Sequence, residues 1–234
     1  MPRIPKPWYD NVFYYTQYDL LQGLSKGKKW TFSEIRPDGI VGFVPGSNAM
    51  NMAQGIAIYL SLYRSIKGEN AEVPFPGYDH GYYSKHSDTF QDLLSKMEIY
   101  AALHPDRCGN GRVFNIADMD EPVTWSYVWP GICTYFGLKG IPPQPDTQSM
   151  QKFVEEHSAE WNSICSNGGL DPEAVKSQNW GHVHFMLVQF DFDRQYDLTQ
   201  ARQVGFSESI DTVKGYEIAF DRMAAGKVIP QFRK

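Results

Sequence analysis

Cysteine is scarce in this 234-residue sequence: Cys108, Cys133 and Cys165 are odd in number, far apart and in no C-x-x-C spacing. That argues against a disulfide framework or a zinc site and for a reducing compartment. Long apolar runs are missing too. None approaches the ~20 residues that a membrane span requires, and residues 1–11 carry no apolar h-region of a secretory signal. The expectation is a cytoplasmic protein that contacts no membrane. Positive charge is not in excess: 22 Lys and Arg stand against 27 Asp and Glu, a net charge of −5, which argues against a nucleic-acid partner. Two chemical signatures are lacking as well, the G-x-S-x-G elbow and the H-E-x-x-H motif. The glycines of "CGNGR" (residues 108–112) have no strand before them and no helix after, so they read as a turn.

What the chain does have is material for a core. Hydrophobic residues make up 42% and aromatics 15%, too many for a disordered chain. Apolar spacing predicts a helix over 11–24, with Phe13, Tyr14, Leu20, Leu21 and Leu24 mostly on one face. Residues 30–35 alternate as a strand, and Arg36-Pro37-Asp38-Gly39 breaks into a loop. A helix follows over 49–66. Another is expected to start at Asp88, which would cap it with Gln91 as partner, and to stop before His104-Pro105. Residues 112–118 read as a strand and 125–136 as a helix carrying Pro130.

Pro142, Pro143 and Pro145 mark a hinge. Beyond it Met150, Phe153, Val154, His157, Trp161, Ile164 and Cys165 trace one amphipathic helix that stops at Asn167-Gly168-Gly169. A short helix after Asp171-Pro172 and a last one over 208–225 complete the reading. Alternating helices and strands imply an α/β fold with parallel pairing. Two or three strands are too few for a full doubly wound sheet, so the sheet is expected to be incomplete. Residues 1–140 are expected to form half of a Rossmann-like core, and 141–234 a mostly helical part.

Two groups of residues could carry chemistry. Tyr14 and Tyr15 at a helix start can be proton donors or simply core aromatics. His182 and His184 form an H-x-H pair with Asp191 and Asp193 downstream; on a strand the two imidazoles would share a face. The ligand set is incomplete, and no metal is expected. The loop "GYDHGYYSKHSD" (residues 77–88) reads as exposed, or as lining a site.

"VFYYTQYD", "RPDGIVGF", "RVFNIAD" with "EPVTWSYVWPGICTYFG", and "VGFSESIDTVKGYEIAFDRM" occur in the order seen in a known family. The chain resembles the progesterone 5β-reductase and iridoid-synthase-like reductases, which are atypical extended short-chain dehydrogenases/reductases. Its loops resemble those of fungal members. The resemblance implies the C-terminal part of an NAD(P)-binding Rossmann-like fold with a mostly helical substrate-binding part. It also implies NADPH as cofactor and 1,4-reduction of a hydrophobic enone in a secondary-metabolic setting. Tyr15 would be the catalytic tyrosine, with Asp19 where ordinary members of the superfamily carry lysine. Pro37, Asp38, Gly39 and Ile40 would touch the nicotinamide end of the cofactor, and Ser47 would approach its pyrophosphate. Tyr14, Trp180, His182 and Phe185 would line the substrate pocket. The family's G-x-x-G-x-x-G loop and its substitute lysine have no counterpart in these residues. Two other readings therefore stand beside reductase: a cofactor-independent isomerase or cyclase, and a non-catalytic product or subunit that pairs with itself or with a complementing chain.

Overall fold

The computed structural model describes residues 4–5, 8–46 and 48–232. Helix α1 spans Phe13–Leu24 and is followed by strands β1 (Ser33–Arg36) and β2 (Gly39–Val41). Helix α2 (Met52–Lys67), β3 (Glu72–Pro74), α3 (Asp79–Tyr83), β4 (Lys85–His86) and β5 (Asp88–Phe90) come next. Then follow α4 (Gln91–Leu103), α5 (Pro105–Cys108), β6 (Arg112–Asn115), β7 (Val123–Thr124), α6 (Trp125–Tyr135) and β8 (Lys139–Ile141). The remainder is helical: α7 (Met150–Glu156), α8 (Ser158–Gly168), α9 (Glu173–Lys176), α10 (Trp180–His184) running into a π-helical turn (Phe185–Gln189), α11 (Thr199–Gln203) and α12 (Thr212–Ala225).

The strands form parallel pairs β1–β6, β2–β5 and β3–β8 and one antiparallel pair, β4–β7. Downstream of β6, Ile116 N–H donates to Arg36 O and Asp118 N–H to Asp88 O, so residues 115–118 bridge the first ladder to the second. A Rossmann-type α/β arrangement with a small parallel sheet results, as expected. The strands β2, β3 and β8 escape a sequence reading because each is three residues long and held by partners about 50 to 70 positions away.

The centre of the fold is α2. Every side chain from Met52 to Leu62 is buried, beneath α7, α10 and α12. One hydrophobic cluster runs from Val41 and Ile56 through Trp129 to Phe153, Trp161 and Phe220. It crosses the division expected at residue 140. A second, smaller cluster joins Phe90, Met97, Phe114 and Phe206.

Three expectations are corrected. Asp88 does not cap a helix: it lies in β5, opposite Gly39 of β2, with its side chain buried, and α4 begins at Gln91. The helix drawn through residues 150–165 breaks at His157, whose ring Nδ1–H donates to the Phe153 carbonyl at 2.8 Å and shares that acceptor with the His157 backbone N–H. Finally, the apolar face of α1 finds no core. No side chain of this helix is buried; Phe13, Tyr14 and Leu20 are 58%, 59% and 59% exposed.

Other local signals hold. Gly169 ends α8 in the left-handed region (φ +60°), which glycine enters without steric cost. The last helix starts at Thr212, later than the expected 208, where Asp211 caps it by accepting from Lys214 N–H. Asn51 caps α2: its Oδ1 accepts from Gln54 N–H at 3.0 Å, and its Nδ2 donates to Gly42 O. Replacing Asn51 by alanine should lower the unfolding free energy by about 1–2 kcal/mol, read as a shift of the urea midpoint. A change near zero would mean that water replaces the cap.

Candidate functional site

The turn after β1 is held by a segment from the far end of the chain. Arg194 Nε donates to Asp38 Oδ2 at 2.7 Å, and Tyr196 O–H donates to Pro37 O at 3.0 Å. Arg194 also lies over the Phe190 ring, 4.5 Å from its centroid, and its Nη1 donates to Phe190 O. Burial raises the Asp38 carboxyl above its ordinary range, and the Arg194 charge offsets this only in part. Behind the turn, Asp88 Oδ2 accepts from Tyr216 O–H at 3.2 Å and stands 3.6 Å from His86 Nε2. His86 in turn stacks on Trp125 at 4.9 Å.

Two glycines make the approach of these elements feasible. A Cβ on Gly39 would stand 3.2 Å from Asp88 Oδ1 and 3.3 Å from Met186 Cε. One on Gly42 would lie 1.9 Å from Gln91 Oε1, the atom that accepts from Phe43 N–H at 2.6 Å. Glycine at 42 therefore lets Gln91 pin the strand-to-loop exit from β2.

Above this floor opens a cleft of about 480 Å³, within the range of small-molecule sites. Its walls are mostly apolar, among them Ile40, Val44, Met50, Phe185 and Phe190. Asp38, Gln91, Asn48, Asn51 and His182 supply the polar points. Burial keeps the His182 imidazole below its ordinary range, with the nearby Met50 backbone opposing that in part.

The structure thus brings five expected site residues into one cavity: Asp38 from the β1–β2 turn, Gly39 and Ile40 from β2, His182 and Phe185 from α10 and the π-turn. Pro37 contributes its carbonyl to Tyr196 beside the cleft. Ser47 lies outside the described residues. Trp180 lines a different cavity of about 290 Å³, with Met150, Val183, His184 and Leu187. Because α10 is a helix rather than a strand, His182 and His184 open into different cavities and do not pair. Tyr14 and Tyr15 do not line the cleft. Tyr15 stacks on Tyr9 (5.0 Å), and its phenol oxygen accepts from Ile4 N–H at 3.3 Å. Tyr18, one turn on, ties α1 to the strands by donating to Gly111 O.

Sequence reasoning placed none of Arg194, Gln91, Asn51 and Phe190 at the site; their approach to the cleft depends on contacts that close only in three dimensions. Among the described residues no helix is long and apolar enough to cross a membrane.

Comparison with known proteins gives these features a context. The chain is 34% identical to short chain dehydrogenase ausT of Aspergillus calidoustus over 98% of its residues and 56% of that protein's length. It is 31% identical to short chain dehydrogenase sirR of Leptosphaeria maculans, over 97% of this chain and 59% of that one. With (S)-8-oxocitronellyl enol synthase ISY2 of Nepeta racemosa it shares 31% identity over 68% of its residues and 39% of the other's length. The chain therefore spans little more than half the length of the fungal relatives it matches. A family model described as a PRISE-like Rossmann-fold domain matches residues 1–230, and this chain belongs to that family of short-chain dehydrogenases/reductases.

Proposed function

We propose that this chain forms the substrate-facing part of an NADPH-dependent reductase that saturates the C=C bond of a hydrophobic enone. The supporting observation is the convergence of Asp38, Gly39 and Ile40 with His182 and Phe185 on one apolar cleft. Ile40, Phe185 and Phe190 would pack against the apolar scaffold of the substrate and exclude water. The Asp38 turn, fixed by Arg194, would meet the nicotinamide end of the cofactor. NADPH, when bound, supplies the hydride that reaches the β-carbon. The cleft's size and flat apolar walls fit that end of a dinucleotide. The pyrophosphate end requires a glycine-rich turn opening a helix. These residues contain no G-x-x-G-x-x-G, so no side chain of the chain is assigned to it.

The family motif would give the proton to Tyr15, which lies at the start of α1 and is not among the residues that line this cleft. The test has two arms. Titration with NADPH should quench the tryptophan fluorescence saturably in the micromolar range; no binding at millimolar cofactor would sink the reading. Turnover of 2-cyclohexen-1-one should fall by about 100-fold or more in Tyr15→Phe, the scale of a lost general acid. Turnover that ignores added NADPH would instead favour the cofactor-independent isomerase or cyclase.

A further inference from the structure

We propose that α1 and the free edge of β1 form one docking surface, and that its occupant is a parallel α/β polypeptide laying a strand beside β1. The surface stands whatever the cleft binds.

Exposed apolar side chains concentrate here. Among the described residues, ten of the seventeen large ones lie in residues 4–50 and seven in all the rest of the chain. Tyr14, Leu20, Leu21 and Leu24 of α1, and Trp30 after it, are 39% to 59% exposed. An apolar stripe of this length on a surface helix is favoured by a partner that covers it. The helix is moored at the starts of β1 and β6, where Tyr18 O–H donates to Gly111 O at 2.7 Å and its ring meets Phe32 edge-on at 5.4 Å.

The strand edge is bare as well. β1 pairs with β6 and, among the described residues, with no other strand. Arg36 O accepts from Ile116 N–H on the β6 side. Backbone groups alternate in direction along a strand, so Glu34 and Arg36 bond toward β6 while Ser33 and Ile35 turn their N–H and C=O outward. None of the four β1 residues is buried, whereas a parallel strand is ordinarily covered on both faces.

Chain order selects the occupant. A helix running into a parallel strand is the second half of a β–α–β crossover, whose first strand lies parallel to the last. The described residues before α1 hold a 3₁₀ turn at Trp8–Asn11 and no strand. A second copy related by a two-fold axis would present its β1 edge antiparallel. A strand from a parallel α/β unit meets the edge in the direction that β6 already follows, and α1 would lie over it. The relatives carry material for such a unit: this chain matches 56% of ausT and 59% of sirR, and the remainder of each has no counterpart in it.

The probe is ausT, in two forms. Its part outside the matched stretch, co-expressed as a separate tagged polypeptide, should co-purify with this chain one to one, read by light scattering after size exclusion. In a chimaera where this chain replaces the matched stretch of ausT, the Ile35 amide should exchange about 100-fold more slowly than in the chain alone. Leu20→Glu combined with Leu24→Glu, both at exposed positions, should cut capture about tenfold or more. Leu103→Glu, on the exposed side of α4, should leave capture unchanged. An Ile35 amide as open in the chimaera as in the chain alone would overturn the proposal, even where the separate piece of ausT does not fold. So would capture that Leu103→Glu weakens as much as the α1 pair. A dimer of this chain that Leu20→Glu breaks, with no capture of the ausT piece, would make the occupant a second copy and overturn it too.

Discussion

Arg194→Met is expected to lower the unfolding free energy by about 3 kcal/mol, with a larger loss at pH 8 than at pH 5. The side chains of Arg194 and Asp38 are only 10% and 16% exposed, so methionine would leave a carboxylate in a poorly solvated site without its cation. The Asp38 carboxyl already stands above its ordinary range because burial outweighs Arg194. Without the guanidinium it rises further. An acid whose folded-state pKa is raised contributes its full stability below the unfolded value and loses it as pH rises through the folded one. The variant's deficit must therefore grow with pH. Adding Asp38→Asn removes the stranded charge and should recover most of the loss. Urea unfolding of both variants at the two pH values decides the matter. A deficit below about 1 kcal/mol, or one independent of pH, would mean that water reaches Asp38 and the pair is a surface contact.

Asparagine at position 118 should act in the opposite direction and stabilise the protein at alkaline pH. Asp118 is buried where β5, the end of β6 and the start of α12 meet. Its Oδ1 accepts from Phe90 N–H, its backbone carbonyl accepts from Ile210 N–H, and its Oδ2 has no partner among the described residues. Burial pushes its carboxyl up to about 7 from 3.8, against the pull of the Phe90 hydrogen bond and with the Asp88 charge adding to the rise. Between those values the folded state keeps a proton that the unfolded chain releases, so stability falls as pH climbs from about 4 to 7. The gap sets a ceiling of about 4 kcal/mol on that fall. Asp118→Asn keeps an acceptor for Phe90 and carries no charge to desolvate. Its urea midpoint should exceed that of the wild type at pH 8 and match it near pH 4. A variant less stable than wild type at pH 8 would show that the carboxylate is solvated or compensated in the fold.

Much of the local structure was legible. The αL glycine at 169 and the helix through Pro130 follow from rules that act within a few residues. Asp88 shows where such rules fail. Asp88 and Gln91 have the spacing of a cap, yet pairing of Asp88 with Gly39 and the bond from Tyr216, 128 positions away, draw it into a strand. The H-x-H pair fails for the same reason: its meaning depends on whether alternate residues share a face, and α10 separates them.

The sequence alone determined the family, the main helices and the β1 and β6 strands, and the two segments that wall the cleft, because motifs and periodicity are properties of neighbouring residues. Only the tertiary structure decided which candidates meet. It placed Asp38, Gly39, Ile40, His182 and Phe185 around one cavity and Trp180 in another, and it left Tyr14 and Tyr15 on a helix whose apolar face is exposed. It also supplied Arg194, 156 positions from the carboxylate it holds. Contacts at that separation arise from burial and pairing of the whole chain, which no local pattern encodes.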